Sequence, residues 1–159
     1  MAGAEVAIVL GMIDQAWDGE SWHGQNLRGS VRRLTAEQAV WRPAAGGHNI
    51  QELVVHAAYW KYVALRRLKG LDKGSFAYKG SNWFARKAGA DRALWKEDVA
   101  LLVDTHEALR AAIAGLTPAG LRRVTPGAKT TNLALINGIA AHDLYHTGQI
   151  QLIKRLMRS

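Results

Sequence analysis

The most informative stretch of the sequence is IAAHDLYHTGQI, residues 139–150, which sets two histidines four residues apart in an apolar, helical segment. At about 100° per residue, His142 and His146 fall in one narrow sector of a helix. The same sector holds the apolar residues of the last helix, namely Leu135, Ile139, Ile150, Ile153 and Met157. Both imidazoles are therefore predicted to point into the core, where their ring nitrogens need partners.

The N-terminal part of the chain also shows helical periodicity and helix-start signals. Apolar residues at helical spacing predict a first helix over residues 3–17 and a shorter helical piece from about residue 23 to residue 34. Capping boxes begin at Thr35 and at Asn49, where a side-chain oxygen and a Gln or Glu three residues later satisfy free backbone N–H groups. The second box is predicted to open a long helix that ends near Lys69.

The C-terminal part contains two more long helices. Residues 71–90 show no clear periodicity, and a connection of that length is usually a lid, a binding loop or disordered. Asp91 is predicted to start a helix that continues to residue 114, and Thr131 to cap a last helix through residue 158. Four long helices and no credible strand predict an all-α four-helix bundle, with residues 1–159 forming one domain.

A metal ion would give both inward histidines a partner. Two histidines one turn apart can bind one ion from the same helix. His56 lies on the inward stripe of the helix that opens at Asn49 and would supply a third nitrogen from another element. The chain has no cysteine, so the donors would be imidazole and carboxylate groups, which suit zinc, nickel, manganese or iron. Three protein ligands would leave a coordination position open.

Hydrogen bonding inside the core is the alternative explanation for inward histidines. For the pair together with a third inward histidine we favour the metal site, although the sequence alone does not show that His56 meets the other two. His106 lies on the inward stripe of the third long helix and is a competing ligand or a core residue. His23 and His48 fall in connectors and are expected to be exposed.

Two carboxylates are candidates for a catalytic role. Glu52 lies one turn before His56 and could act as a fourth ligand or as a base on bound water, although helix capping also explains it. Asp143 lies at the edge of the histidine sector and could orient one of the rings. A glycine in a helix interior costs about 1 kcal/mol relative to alanine, so Gly148 predicts that another segment approaches closely there.

Three motifs resemble the DinB/YfiT-like family of bacterial four-helix proteins. They are WRP at residues 41–43, IQELVVH at residues 50–56 and HDLYHTGQI at residues 142–150, in the family's order. The resemblance implies an up-down-down-up bundle that holds a divalent ion on His56, His142 and His146. Some relatives are similar to thiol-dependent enzymes, in which the ion activates mycothiol or bacillithiol for S-transfer or isomerisation. Relatives often have serine where this chain has Asn49, and both residues cap helices.

The residues and the resemblance together predict a metal-dependent thiol S-transferase or hydrolase, in which the ion activates water or a low-molecular-weight thiol. Arg67, on the helix that carries His56, is a candidate to attract the carboxylates of such a thiol. Trp83, on the long connection, is a candidate to cover the ligand. A homodimer is expected. The alternative is a bundle that binds a metal or a small molecule without catalysis.

The charge of the chain is basic. Twenty-one Lys and Arg residues against thirteen Asp and Glu residues give a formal net charge of +8, which attracts anionic partners. The basic residues are scattered and lie largely at helix ends, which favours a solvated surface. A nucleic-acid-binding module is a less favoured hypothesis, since no reading motif is visible. The apolar N-terminal run is too short for a membrane span and wrongly flanked for a signal peptide, so a cytoplasmic protein is expected.

Overall fold

The computed structural model describes residues 3–71 and 73–159 and is helical, with no strand in that part of the chain. An isolated bridge pairs Val124 with Thr131. No helix in the described ranges is long and apolar enough to cross a membrane. Seven helices lie in the described part of the chain: α1 (Ala4–Trp17), α2 (Leu27–Val31), α3 (Ala36–Val40), α4 (Ile50–Leu68), α5 (Arg92–Ala114), α6 (Pro118–Arg122) and α7 (Asn132–Leu156).

The starts of four helices confirm the capping signals of the sequence. The N-cap side chain accepts a hydrogen bond from a backbone N–H of the first turn in each case, at Thr35, Asn49, Asp91 and Thr131. At α3 and α4 the reciprocal bond of the capping box is also present. Each such cap contributes about 1 kcal/mol and fixes where its helix begins, and this sets the position of His56 along α4.

The four long helices contact one another through their apolar faces. Helix α4 packs on α5 and α7, and α1 packs on the same two helices. Burial of a large apolar side chain contributes about 1.5–3 kcal/mol, so these faces hold the helices together. One apolar cluster includes Trp17, Leu53, Trp95, Leu102 and Ile150, and a second includes Val6, Ile13, Leu109, Ile113 and Ile136.

Two short helices differ from the sequence prediction. Helix α2 is shorter than the predicted piece over residues 23–34, because Gly24 adopts a φ of +96° and Asn26 caps the helix only after it. Helix α6 was not predicted. Thr117 caps it and Pro118 lies in its first turn, a combination that starts helices.

The prediction of a close approach at Gly148 was wrong for the described residues. A Cβ built at this position would meet no atom within 4 Å outside the helix itself. Gly148 is exposed, and Tyr145 and Leu152 on the same helix are 64% and 55% exposed. This part of α7 therefore presents an uncovered surface instead of a tight contact.

A buried polar cluster connects the long helices. Lys61 of α4 forms an ion pair with Asp143 of α7, and both side chains are 0% exposed. The Lys61 ammonium also lies 3.4 Å from Nδ1 of His106 on α5. The His106 ring stacks on Trp17 of α1 with centroids 4.1 Å apart. His106 therefore has a structural role in this cluster.

Replacing His106 with phenylalanine is expected to make folding less sensitive to acid. Burial, together with the charge of Lys61, lowers the pKa of His106 from 6.5 to about 3, so the folded protein keeps the ring neutral. The unfolded chain binds a proton below about pH 6.5. Because the unfolded state then holds more protons, stability falls as the pH drops from 6.5 toward 3.

Between pH 7 and pH 5 the wild type should lose about 2 kcal/mol more stability than His106→Phe. Urea unfolding of both proteins at the two pH values measures this difference. The other buried histidines are common to both proteins and cancel in the comparison. An equal loss in the two proteins would contradict the prediction.

Candidate metal centre

Helices α4 and α7 bring three histidine side chains together. His56 projects from α4, and His142 and His146 project from successive turns of α7. The Nε2 atom of His142 lies 3.1 Å from Nε2 of His56 and 3.0 Å from Nε2 of His146. One nitrogen from each ring lies within 4.8 Å of the others. The i, i+4 spacing on α7 and the capped start of α4 together produce this convergence.

In two of these rings, the hydrogen bond made by Nδ1 determines which ring nitrogen carries the proton. Nδ1 of His56 donates to the backbone carbonyl of Asn82 at 2.8 Å, and Nδ1 of His146 donates to Oε1 of Gln149 at 2.6 Å. Both partners are acceptors, so both Nδ1 atoms carry the proton and both Nε2 atoms present a lone pair. Nδ1 of His142 is buried and has no hydrogen-bond partner among the described residues.

The arrangement of the three Nε2 atoms is suited to binding a cation. A proton on Nε2 of His142 can make a good hydrogen bond to only one of the two neighbouring lone pairs. A metal ion between the rings would accept all three lone pairs, and an outer hydrogen bond to a carbonyl or amide oxygen is the usual support of a histidine ligand. Tetrahedral zinc, for example, binds such nitrogens at about 2.0–2.1 Å.

The surroundings keep the three rings neutral. Burial, with a smaller contribution from neighbouring histidines, lowers the pKa of His56 to about 4 and that of His142 to about 3. Burial also lowers the pKa of His146. A histidine must be deprotonated to bind a metal, so at neutral pH all three rings are in the form that a ligand requires.

The connection between α4 and α5 covers the histidines. Asn82 has a φ of +67°, a left-handed conformation that asparagine tolerates better than most residues, and its side chain accepts a hydrogen bond from Nε1 of Trp60 at 2.9 Å. Trp83 lies between two imidazoles. Its ring stacks on His56 at 3.8 Å and on His48 at 3.5 Å between centroids. His48, which was expected only to be exposed, therefore supports the cover.

The same connection is held on α5 by a buried carboxylate. Asp98 accepts hydrogen bonds from two nitrogens of Arg86 at 2.7–3.1 Å and from the Tyr78 hydroxyl at 2.7 Å. Gln51 of α4 donates to the same carboxylate at 2.7 Å. Charge-assisted bonds of this kind are strong, so Asp98 fixes the segment that carries Asn82 and Trp83.

Removal of the Arg86 side chain is expected to loosen the cover. Arg86→Ala leaves Asp98 with two neutral donors and should make residues 71–90 cleave faster in limited proteolysis. Metal affinity should fall about tenfold, because the hydrogen bond that orients His56 comes from this segment. The control is Lys87→Ala, which removes a neighbouring, exposed cation whose nearest carboxylate, that of Asp91, is 3.8 Å away. Equal cleavage rates in the two variants would count against the anchoring role of Arg86.

The two candidate catalytic carboxylates have other partners. Glu52 pairs with Arg42, accepts from the backbone N–H of Asn49 at 3.1 Å and lies 3.3 Å from Nδ1 of His48. Burial raises its pKa, but the hydrogen bonds from Arg42 and Asn49 outweigh burial and lower it below the usual value. The Asp143 carboxylate pairs with Lys61 and, among the described residues, forms no hydrogen bond with any of the three histidines. Burial raises the pKa of Asp143, and the charge of Lys61 opposes this shift.

The remaining candidate site residues lie in different parts of the structure. His106 belongs to the polar cluster with Lys61 and is not part of the triad. His23 is exposed. Arg67 lines a cavity of about 360 Å³ beside His142. The other residues of this cavity are Trp60, Ala134, Leu135, Gly138 and Ile139.

Three residues that contribute to the site were not recognised in the sequence. Asn82 carries a weak signal, since asparagine favours left-handed turn positions. Asp98 lies on a helix that has a clear apolar stripe, but nothing in the sequence pairs it with Arg86. Lys61 could have been found, because the residues one turn before it and one turn after it, Ala58 and Ala64, are small and apolar.

The family is established by comparison with known proteins. A model of the DinB superfamily matches residues 21–150, and the chain belongs to this superfamily. This confirms the resemblance that the three motifs indicated. A search of curated proteins and a search of solved structures each found no match.

Proposed function

We propose that the protein is a metal-dependent enzyme, with a divalent ion on His56, His142 and His146. The observation that carries this proposal is the convergence of three buried Nε2 atoms, two of which present lone pairs toward the third ring. A divalent ion with an open position acts as a Lewis acid and lowers the pKa of water or of a thiol that occupies that position. The proposed reaction is S-transfer or hydrolysis.

The residues around the triad support this chemistry by orienting and enclosing it. Asn82 and Gln149 hold the rings of His56 and His146 so that both Nε2 atoms face the centre. Trp83 covers one face of His56 and excludes water there. Neither Glu52 nor Asp143 is assigned a proton-transfer step, because each is engaged in an ion pair.

The cavity beside His142 supports the proposal that the substrate is small and anionic. Its walls are mostly apolar, with the indole of Trp60 and the guanidinium of Arg67 among its polar groups. A volume of about 360 Å³ lies in the range of small-molecule sites. We propose that Arg67 binds a carboxylate of a low-molecular-weight thiol that carries one, and that an ion held by the three histidines would supply the activation of its sulfur.

The experiment combines metal analysis with a reaction panel. The protein, purified from metal-replete cells, is assayed with mycothiol, bacillithiol or glutathione and a chloronitrobenzene electrophile, and separately with ester and amide substrates. Thiol-dependent turnover that is lost on chelation and restored by one metal supports the S-transferase, and turnover of esters or amides without thiol supports the hydrolase. Arg67→Ala should raise the KM for bacillithiol or glutathione, which carry carboxylates, about fivefold, since a single exposed charge contributes up to about 1 kcal/mol, and Lys69→Ala should not.

Two other functions remain distinguishable from the proposed one. Bound metal without turnover across the panels would favour a bundle that binds a metal or small molecule without catalysis. The net charge of +8 is the observation behind a nucleic-acid-binding module. That function predicts affinity for DNA or RNA that falls steeply with salt, so a flat titration would exclude it.

We also infer that residues 1–159 form one domain with the up-down-down-up helix order of the family, and that two copies pair through α1 and α7. The support for pairing is a group of exposed apolar side chains on these helices, namely Ile8, Met12, Tyr145, Leu152 and Leu156. Gly148 adds an open position to the same helix. Sedimentation equilibrium of the wild type and of Leu152→Glu tests the dimer, and a monomeric wild type would refute it.

A further inference from the structure

A second cavity lies away from the histidine triad. It has a volume of about 400 Å³ and lies between the end of α1, the α2 segment with the turn after it, and the first half of α5. None of its lining residues belongs to the histidine triad or to the cavity beside His142. Apolar side chains from all three elements line it, among them Trp17, Val31, Trp95, Val99 and Leu102.

Basic side chains surround this apolar interior. Five of the lining residues are exposed cations: Arg28, Arg32, Arg33, Arg92 and Lys96. Within residues 3–71 and 73–159, Arg28 alone among them has a carboxylate within 4.0 Å, that of Asp18 at 2.8 Å. Cations gathered in a concave, low-dielectric surface attract anions more strongly than scattered ones. Four charges at this rim are therefore available to an anionic ligand.

The turn that carries part of the rim is held in an unusual conformation. Arg33 has a φ of +64°, which is rare for a long side chain. Trp95 donates from Nε1 to the carbonyl of Leu34 at 3.0 Å, and the N–H of Leu34 donates to the carbonyl of Val31 at 3.3 Å. Such strain persists where the surrounding structure imposes it, and it is concentrated at ligand sites. In this chain the other non-glycine residue with positive φ among the described residues is Asn82, which covers the histidines.

We propose that this cavity binds a small amphipathic carboxylate. The apolar chain of the ligand occupies the interior formed by Trp17, Trp95 and Leu102, and its carboxylate meets the guanidinium and ammonium groups of the rim. A volume of about 400 Å³ accommodates a medium-length acyl chain or a substituted aromatic acid. A neutral apolar ligand would use the interior but not the charges, and a polyanion would use the charges but not the interior.

Octanoate and octanol are matched probes, because they share a chain and differ in charge. Isothermal titration calorimetry, supported by the fluorescence of Trp17 and Trp95, should show octanoate binding with a dissociation constant below about 1 mM. Octanol should bind at least about fivefold more weakly. Equal affinities, or no octanoate binding up to 1 mM, would overturn the proposal.

Binding measurements on variants test whether octanoate occupies this cavity. Arg33→Gly with Lys96→Ala removes two rim charges and keeps the turn, since glycine adopts positive φ without strain. It should weaken octanoate binding at least about fivefold and leave octanol unchanged. Val99→Trp should fill the cavity and remove binding of both probes. Arg155→Ala, an exposed cation outside the cavity, and His142→Ala, in the other site, should bind octanoate as the wild type does. A loss of octanoate binding in either of these controls would overturn the proposal.

Discussion

His142→Ala is expected to abolish stoichiometric metal binding. The wild type, grown with a supply of zinc, nickel, manganese and iron, should carry about one divalent ion per chain, because the three Nε2 atoms converge within ligand distance. The alanine variant retains His56 and His146 without the ring that lies between them. Loss of an outer hydrogen bond to a ligand costs 10–100-fold in metal affinity, so loss of the ligand itself should exceed about 100-fold.

Elemental analysis and competition with a chromogenic chelator measure this loss. The matched control is His23→Ala, which removes an exposed histidine from the connector between α1 and α2 and should leave the metal content unchanged. A circular dichroism spectrum establishes that His142→Ala keeps its helices. A wild type that stays metal-free under replete conditions, or a variant that keeps its metal, would refute the site.

Lys61→Met is expected to destabilise the protein by about 3–5 kcal/mol, because it leaves the Asp143 carboxylate buried without its counter-ion. In a chain of this length a change of that size lowers Tm by about 6–20 °C. The double variant Lys61→Met with Asp143→Leu should recover most of the loss, since a buried ion pair replaced by apolar groups of similar volume is often neutral. Urea unfolding of the wild type, of Lys61→Met and of the double variant measures the loss of stability and its recovery.

An exposed ion pair provides the comparison for this effect. Arg110 of α5 pairs with Asp14 of α1 at 2.6 Å, but the two side chains are 45% and 34% exposed. Arg110→Met should therefore cost less than about 1 kcal/mol. If Lys61→Met were no more harmful than Arg110→Met, the buried pair would have no special structural role.

The helical fold and the inward direction of the histidines were predictable because both depend on local periodicity. A spacing of four residues places His142 and His146 on one face of any helix, and the capping box at Asn49 fixes where the helix of His56 begins. The meeting of His56 with the other two depends on how α4 packs on α7. That step came from the family motifs and not from the spacing.

The contacts of the covering segment were not predictable from local patterns. Arg86 and Asp98, or Asn82 and His56, meet because a connection without periodicity folds back on two helices, and many other partners are compatible with the sequence. The sequence made Trp83 a candidate to cover a ligand, and in the structure its ring stacks on His56.

Lys61 and Gly148 show how general expectations fail at particular positions. Lysine is almost never fully buried unless it is paired, and its partner Asp143 lies 82 residues away in the chain. Gly148 was taken as a contact because glycine weakens helices, but the surface beside it is open. Only tertiary packing distinguishes a glycine that permits a contact from one that leaves a surface flat.

The position of Trp83 between His48 and His56 gives the protein an optical reporter. A stacked imidazole alters the emission of an indole according to its own charge, and a cation on Nε2 of His56 would lie a few ångströms from the Trp83 ring. Occupancy of the histidines should therefore be readable as a change in tryptophan fluorescence during a titration, without any label. Trp83→Phe would remove this signal and leave the emission of the other five tryptophans.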